Sequence, residues 1–265
     1  MKALACILLA SAALAEPRRI DEIMRRVADN QAKSVEARKQ FVYRQQEAVR
    51  MLHSNGKPTC EQQREYTVTP LPQGIERKLV SRDNGDGKCQ VKIDVTSDSK
   101  HVSAGFGSEG DSFSVALGKT KDGVPRGLFP FTPEEQVLYQ YKLAKTEIHD
   151  GRSAYRVTFR PNKNKDASGN QGYCKGELWI DSEEFQPLEM KADLSMHLFP
   201  GTNVRGKGFA VHYQRLAEGV WFPSSFGGEF SVQALFFFTN HVSVNVTNSD
   251  FKRTDVNSIV NFTGK

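Results

Sequence analysis

The chain has 265 residues, with 36 Lys and Arg against 31 Asp and Glu, a formal charge of +5, and 38% hydrophobic residues. That apolar content is enough for a real core, so disorder throughout is excluded, and the length fits one large β domain or two average ones. The positive excess is spread along the chain without the dense basic stripe that a phosphate backbone requires, so no nucleic-acid partner is expected.

Met1-Lys2 precedes an apolar run from Ala3 to Leu14, and Ala13-Leu14-Ala15 is an A-x-A site before Glu16-Pro17. This is the pattern of a cleaved signal peptide over residues 1–15, and it predicts export. A bilayer span needs about 20 apolar residues, more than this run contains, and no transmembrane segment is expected elsewhere. Cleavage removes Cys6 and leaves Cys60, Cys89 and Cys174, none of them in a C-x-x-C pair, so a zinc or redox motif has no support. Three cysteines in an oxidising compartment allow one bridge. Cys60 and Cys89 lie in neighbouring segments that read as strands, and neighbours in a meander usually pair, so a Cys60–Cys89 disulfide is expected. The alternative is three reduced thiols.

Ile20, Ile23, Met24, Val27 and Ala28 fall on one helical face, with Arg18, Arg19, Arg25 and Arg26 on the remainder. The spacing predicts an amphipathic helix over about 18–38, laid on its own sheet rather than on a membrane surface. After residue 40 the period changes to two. Met190, Ala192, Leu194, Met196 and Leu198 alternate with Glu189, Lys191, Asp193, Ser195 and His197; Tyr155, Val157 and Phe159 repeat the pattern, as do Val242, Val244 and Val246. Turn signals such as Asn55-Gly56, Asp150-Gly151 and Glu218-Gly219 punctuate these runs. The expectation is ten to twelve short strands in an antiparallel meander, one domain over 16–265. Thr132-Pro133-Glu134-Glu135 is a capping box with proline at the first helical position, so a short helix should start there.

Few motifs suggest chemistry. Gly105-Phe106-Gly107-Ser108-Glu109-Gly110 satisfies G-x-G-x-x-G, but the strand-like alternation after it lacks the βαβ context of a dinucleotide site, and no cofactor is expected. Asp83, Asp86 and Asp94 fail the calcium-loop frame. The six histidines make no local ligand pair, so no metal is expected; His197 and His212, on neighbouring strands, could meet across the sheet, but both lie opposite the apolar row and read as part of a solvated face. Ser224-Ser225 lacks the strand-turn-helix setting of a nucleophile elbow, and no catalytic residue is assigned.

The strongest signal is aromatic density late in the chain: Trp221, Phe222, Phe226 and Phe230, then Leu235 to Phe238. A four-residue apolar run places large side chains on both faces of a strand, and one long and one short helix are little cover for so many strands. Either the sheet curls into a filled barrel, or its concave face stays open as a pocket for an apolar ligand. A pocket would be lined by Leu128, Phe129, Met190, Leu194, Met196, Trp221, Phe226 and Phe236, with Ile20, Ile23, Met24 and Val27 turned inward from the helix as a lid.

The order of elements carries a resemblance. Gly151-Arg152-Ser153-Ala154-Tyr155-Arg156-Val157-Thr158-Phe159 is followed by Gly176-Glu177-Leu178-Trp179-Ile180-Asp181 and then Gln186-Pro187-Leu188. With the preceding helix, this resembles the outer-membrane lipoprotein-sorting (LolA/LolB/RseB-like) superfamily. Segments Leu128 to Gln136 and Gly219 to Phe230 are similar to those of a group of bacterial envelope proteins of unassigned function. The resemblance implies a mostly β fold, an antiparallel unclosed half-barrel with helices as a lid over a hydrophobic cavity, in the periplasm. The expected function is binding of a lipid, lipoprotein acyl chain or other apolar ligand without catalysis. The alternative is an envelope interaction or stress-sensing module that binds a protein partner.

Overall fold

Alternation from residue 41 onward builds long antiparallel strands that share one sheet. The computed structural model describes residues 20–71, 74–83, 103–104, 113–114, 131–162, 173–199, 202–234 and 238–254. Helix α1 (Ile20–Arg38) leads into β1 (Phe41–Leu52), β2 (Pro58–Leu71) and β3 (Gly74–Asp83). The two-residue strands β4 (Ser103–Ala104) and β5 (Phe113–Ser114) pair antiparallel on either side of the G-x-G-x-x-G segment, which itself lies outside the described residues, as does the Asn84–Gly87 turn. Helix α2 (Pro133–Gln136) precedes β6 (Tyr139–His149), β7 (Arg152–Pro161), β8 (Tyr173–Asp181), β9 (Pro187–Phe199), β10 (Thr202–Ala217), β11 (Val220–Ala234) and β12 (Phe238–Arg253).

Ten strands form one antiparallel sheet in the order β3-β2-β1-β12-β11-β10-β9-β8-β7-β6. Every neighbour is sequential except β1 beside β12, which brings the two ends of the meander together in mid-sheet. The edges are β3 and β6, and the sheet does not close. It does curl. Helix α1 touches both β11 and β6, five strand spacings apart; on a flat sheet that is roughly 24 Å, about twice the diameter of a helix. The sheet therefore wraps around α1.

The strands are longer than the short segments expected; β10 and β12 each run 16 residues. Residues that read as turn formers are absorbed as bulges. Gly208 and Asp250 both adopt left-handed φ, 65° and 53°, inside β10 and β12, where the ladder shifts register. Such bulges bend a strand without ending it.

The main core lies on the concave side. It unites Ile23, Met24 and Val27 of α1 with Tyr43, Leu178, Ile180, Met190, Val211, Phe222 and others from across the sheet. The helix supplies the stripe its spacing predicts, and its charges follow its dipole, with Asp21 and Glu22 in the first turn and Arg38 in the last. At α2, Thr132 accepts from the Glu135 amide while the Glu135 side chain accepts from the Thr132 amide, completing the capping box. No described helix is long and apolar enough to cross a membrane.

Candidate ligand-binding site

Alternation decides which side chains reach the concave face, and α1 decides how that face is covered. The helix is fastened unevenly. Its second half is pinned by polar contacts: Asn30 Nδ2 donates to the Glu184 carbonyl at 2.7 Å, Gln31 Nε2 to Gln186 Oε1 at 2.9 Å, and Gln186 Nε2 to Ser34 Oγ at 3.2 Å. The buried Arg38 donates to the Trp221 carbonyl at 3.1 Å. These partners belong largely to the β8–β9 turn, which is itself braced by hydrogen bonds. Asp181 Oδ1 accepts the amides of Glu183 and Glu184, and its other oxygen accepts from Arg152. Burial disfavours the Asp181 charge, but the guanidinium and the two amides outweigh it and hold the carboxyl below its ordinary value. The first half of α1 is held mainly by apolar contacts, with Arg26 lying 3.6 Å over the Phe185 ring and Gln136 Nε2 donating to the Met24 carbonyl at 2.8 Å.

Beside that first half is a groove of about 670 Å³ between α1, α2 and edge strand β6. Met24, Ala28, Tyr139 and Tyr141 line it, with Asp21 and Asp29 at its rim. Beneath it Tyr139 packs edge-on to Phe159, ring centroids 5.9 Å apart, and its hydroxyl lies 3.4 Å from the Cys174 sulfur. Burial pushes the Cys174 thiol up to about 11 and raises both tyrosines. Cys174 is therefore a protonated, inert thiol rather than a nucleophile. Because its folded value is raised, the stability it contributes is complete below the ordinary thiol value and is lost as pH climbs toward 11. Alkylation of the native protein at pH 8 should leave Cys174 unmodified while denaturant exposes it; rapid modification of the folded chain would show that the thiol is open to solvent.

The expected lining residues are distributed differently from this groove. Met190, Leu194 and Phe226 are buried in the main core, as are Ile23, Met24 and Val27, with Ile20 packed against them. Trp221 is buried too, but in a separate cluster with Ala154, Trp179 and Leu188 on the convex side. It immediately precedes the core residue Phe222, so alternation sends it to the other face, where its Nε1 donates to Glu184 at 2.9 Å. Met196 belongs to β9, its side chain outside what is described, and Leu128, Phe129 and Phe236 lie outside the described residues. Of the expected bridge, Cys60 is disulfide-bonded, and Cys89 lies outside the described residues. His212 does not meet His197: the register sets it across from Glu189, 3.4 Å from that carboxylate, and His197 across from Asn203.

One feature escaped the sequence reading. The concave face has a polar end made by β1, β2, β3 and β12. Gln45, Glu47, Gln62, Arg64 and Asn248 are all buried there. Glu47 pairs with Arg77, whose guanidinium lies 4.0 Å over the Tyr66 ring and donates to Gln45 at 2.7 Å. Gln45 in turn donates to Asn248 at 3.0 Å, and Asn248 to the Pro223 carbonyl. The signal was present in Tyr43-x-Gln45-x-Glu47-x-Val49, a polar pair flanked by apolar residues in one row, which reads as a solvated stretch until its cover is known.

No group of three or more potential metal ligands gathers among the described residues. Ser231 Oγ lies 3.1 Å from His241 Nδ1, a nucleophile–base pair in outline, but no carboxylate orients the imidazole among the described residues.

No family model matches the chain, and no curated protein matches it. Solved structures similar to it include a domain from Vibrio parahaemolyticus assigned to outer membrane lipoprotein sorting, at 12% identity and TM-score 0.31, over 88% of this chain and 94% of that one. A DUF1329 family protein from Desulfovibrio piger matches at 13% identity and TM-score 0.34, over 90% and 94%. The MucA/MucB complex of Pseudomonas aeruginosa matches at 11% identity and TM-score 0.23, over 86% and 99%. No residue role carries over at such identities.

Proposed function

We propose that the chain is an exported binding protein that holds a lipid, an acyl chain or a similar apolar ligand in its half-barrel without catalysing a reaction on it, in the cell envelope to which residues 1–15 direct it. The observation that carries this reading is the uneven fastening of α1. An open sheet with a largely apolar concave face is covered by one helix, pinned by several hydrogen bonds at its second half and held at its first half mainly by apolar contacts beside a groove of about 670 Å³. That volume lies within the range of small-ligand sites, about 300–1,000 Å³. In this reading the ligand slides past Tyr139 and Tyr141, lifts the first half of α1, and meets Met190, Leu194 and Phe226, with Leu128, Phe129, Met196 and Phe236 completing the lining. Methionine and phenylalanine suit chains of variable shape because they repack cheaply.

Native mass spectrometry of the protein purified from cell envelopes should show a bound lipid mass that organic extraction removes. Replacing Gln136 with Ala removes its amide bond to the Met24 carbonyl in the first half of the helix and should speed uptake of an apolar fluorescent dye severalfold with little change in unfolding midpoint. A clean unliganded mass together with no dye uptake by either protein would overturn the proposal.

A further inference from the structure

The convex face carries a second concavity, independent of the site beneath α1. Strand alternation turns Arg205 and Lys207 of β10 away from the buried Val204 and Gly206. The ladder then sets Arg205 opposite Ser231, and Ser231 opposite His241; in the next row it sets Lys207 opposite Glu229. The β1–β2 turn, closed by the His53 amide donating to the Lys57 carbonyl at 2.8 Å, stands along one side of these rows because Leu52 pairs with His241. Together they enclose a groove of about 470 Å³.

Its two cations make no ion pair among the described residues. Arg44, Arg50, Arg77, Arg152, Arg156 and Arg215 each pair with a carboxylate. Arg205 and Lys207 have neither an ion pair nor a hydrogen bond among the described residues, even though Glu229 stands directly across from Lys207. Two residues apart on one strand, they lie roughly 6.6–6.8 Å from each other, close enough for both to reach one oxyanion. The rest of the lining is neutral and hydrogen-bonding, with Asn203, Gln233 and Thr239 in the adjoining row.

We propose that this groove binds a phosphate monoester carried on a small hydroxylated body. Arg205 takes the phosphate through its planar fork and Lys207 through a point charge, the two modes by which these side chains hold phosphate. The Thr239 hydroxyl in the adjoining row meets a hydroxyl group of the body. Glu229, across from Lys207, disfavours ligands with several separated negative charges and favours a single anionic head. Ser231 is held by His241 at 3.1 Å, so its hydroxyl oxygen is fixed at the floor of the site.

The probes are glycerol 3-phosphate in solution and vesicles of phosphatidylcholine with and without phosphatidic acid, whose head group is also a phosphate monoester. Titration followed by amide chemical shifts should perturb β10, β11 and β12 around Arg205, Ser231 and His241, with an affinity that falls as salt rises. The double variant Arg205→Gln with Lys207→Gln should weaken binding by about tenfold or more, since two charge-assisted contacts are lost, while Lys142→Gln on edge strand β6 should leave it unchanged. A response to glycerol 3-phosphate assigns the site to a soluble ester. Co-sedimentation with phosphatidic acid vesicles alone, lost in the double variant, assigns it to a lipid head group. Absence of both responses, or equal binding by the double variant, overturns the proposal. Because Arg205 and Lys207 are exposed, the variants should keep the parent unfolding midpoint, and dye uptake beneath α1 should be unaffected in every case.

Discussion

Charging the buried stripe of α1, with Ile23→Asp and Val27→Asp together, is expected to lift the helix from the sheet and raise apolar dye binding many-fold. Both side chains are fully buried, at 0% exposure, in the main core. Losing their burial removes about 1.5–3 kcal/mol each, and a carboxylate in either place adds the cost of an unpaired polar group in an apolar setting. The fold has a cheaper response than unfolding. The Gln31–Gln186 and Arg38–Trp221 contacts hold the second half of α1, so its first half, fastened mainly by apolar burial with the Gln136 amide and Arg26 over Phe185, can swing into water. The strand signature in circular dichroism should therefore persist while dye fluorescence rises and the unfolding midpoint drops. The milder pair Ile23→Val with Val27→Ala should show a smaller drop in midpoint and little extra dye. Unchanged dye binding and an unchanged midpoint in the charged variant would mean that the helix does not cover an apolar face.

The second large effect is expected at the polar end of the concave face. Glu47, at 3% exposure, is paired with Arg77. Replacing Glu47 alone with Leu strands the Arg77 guanidinium next to Gln45 and Tyr66, and removing one member of a buried pair typically costs about 3–5 kcal/mol. Replacing both, Glu47→Leu with Arg77→Met, removes the charges together and lets the stems pack, so most of that loss should return. Urea unfolding of the parent, the single and the double variants measures this directly. If the double variant is no more stable than the single one, the charge pair is not what the fold needs at this end, and the network through Gln45 and Asn248 carries the stability instead.

These two experiments bear on different parts of the chain's legibility. The stripe Ile20, Ile23, Met24, Val27 was readable because a helix repeats every 3.6 residues and its apolar residues coincide with that repeat. The capping box was readable because both its reciprocal bonds come from side chains three residues apart. The meander was readable from alternation and turn residues, and the open antiparallel sheet with two helices is what the structure contains. Strand length was not readable, since Gly208 and Asp250 can end a strand or bulge it, and hydrogen bonds from the neighbouring strands decide between the two.

Local periodicity thus determined the elements and sorted each strand's residues into two faces. It left undecided which face of a mixed strand is inside. Gln45 and Glu47 share a row with Tyr43 and Val49, and only burial against β2, β3 and β12 shows that the polar pair is enclosed. Trp221 is as apolar as Phe222, yet the two part company, because the convex face has its own small cluster with Trp179 and Leu188 to receive it. The groove beside α1 joins residues from the start of the chain to Tyr139 and Tyr141, a pairing made by the curl of the sheet. Alternation is set between adjacent residues, whereas enclosure depends on segments brought together from far apart, and that is why the elements were legible in the sequence and the sites had to come from the tertiary structure.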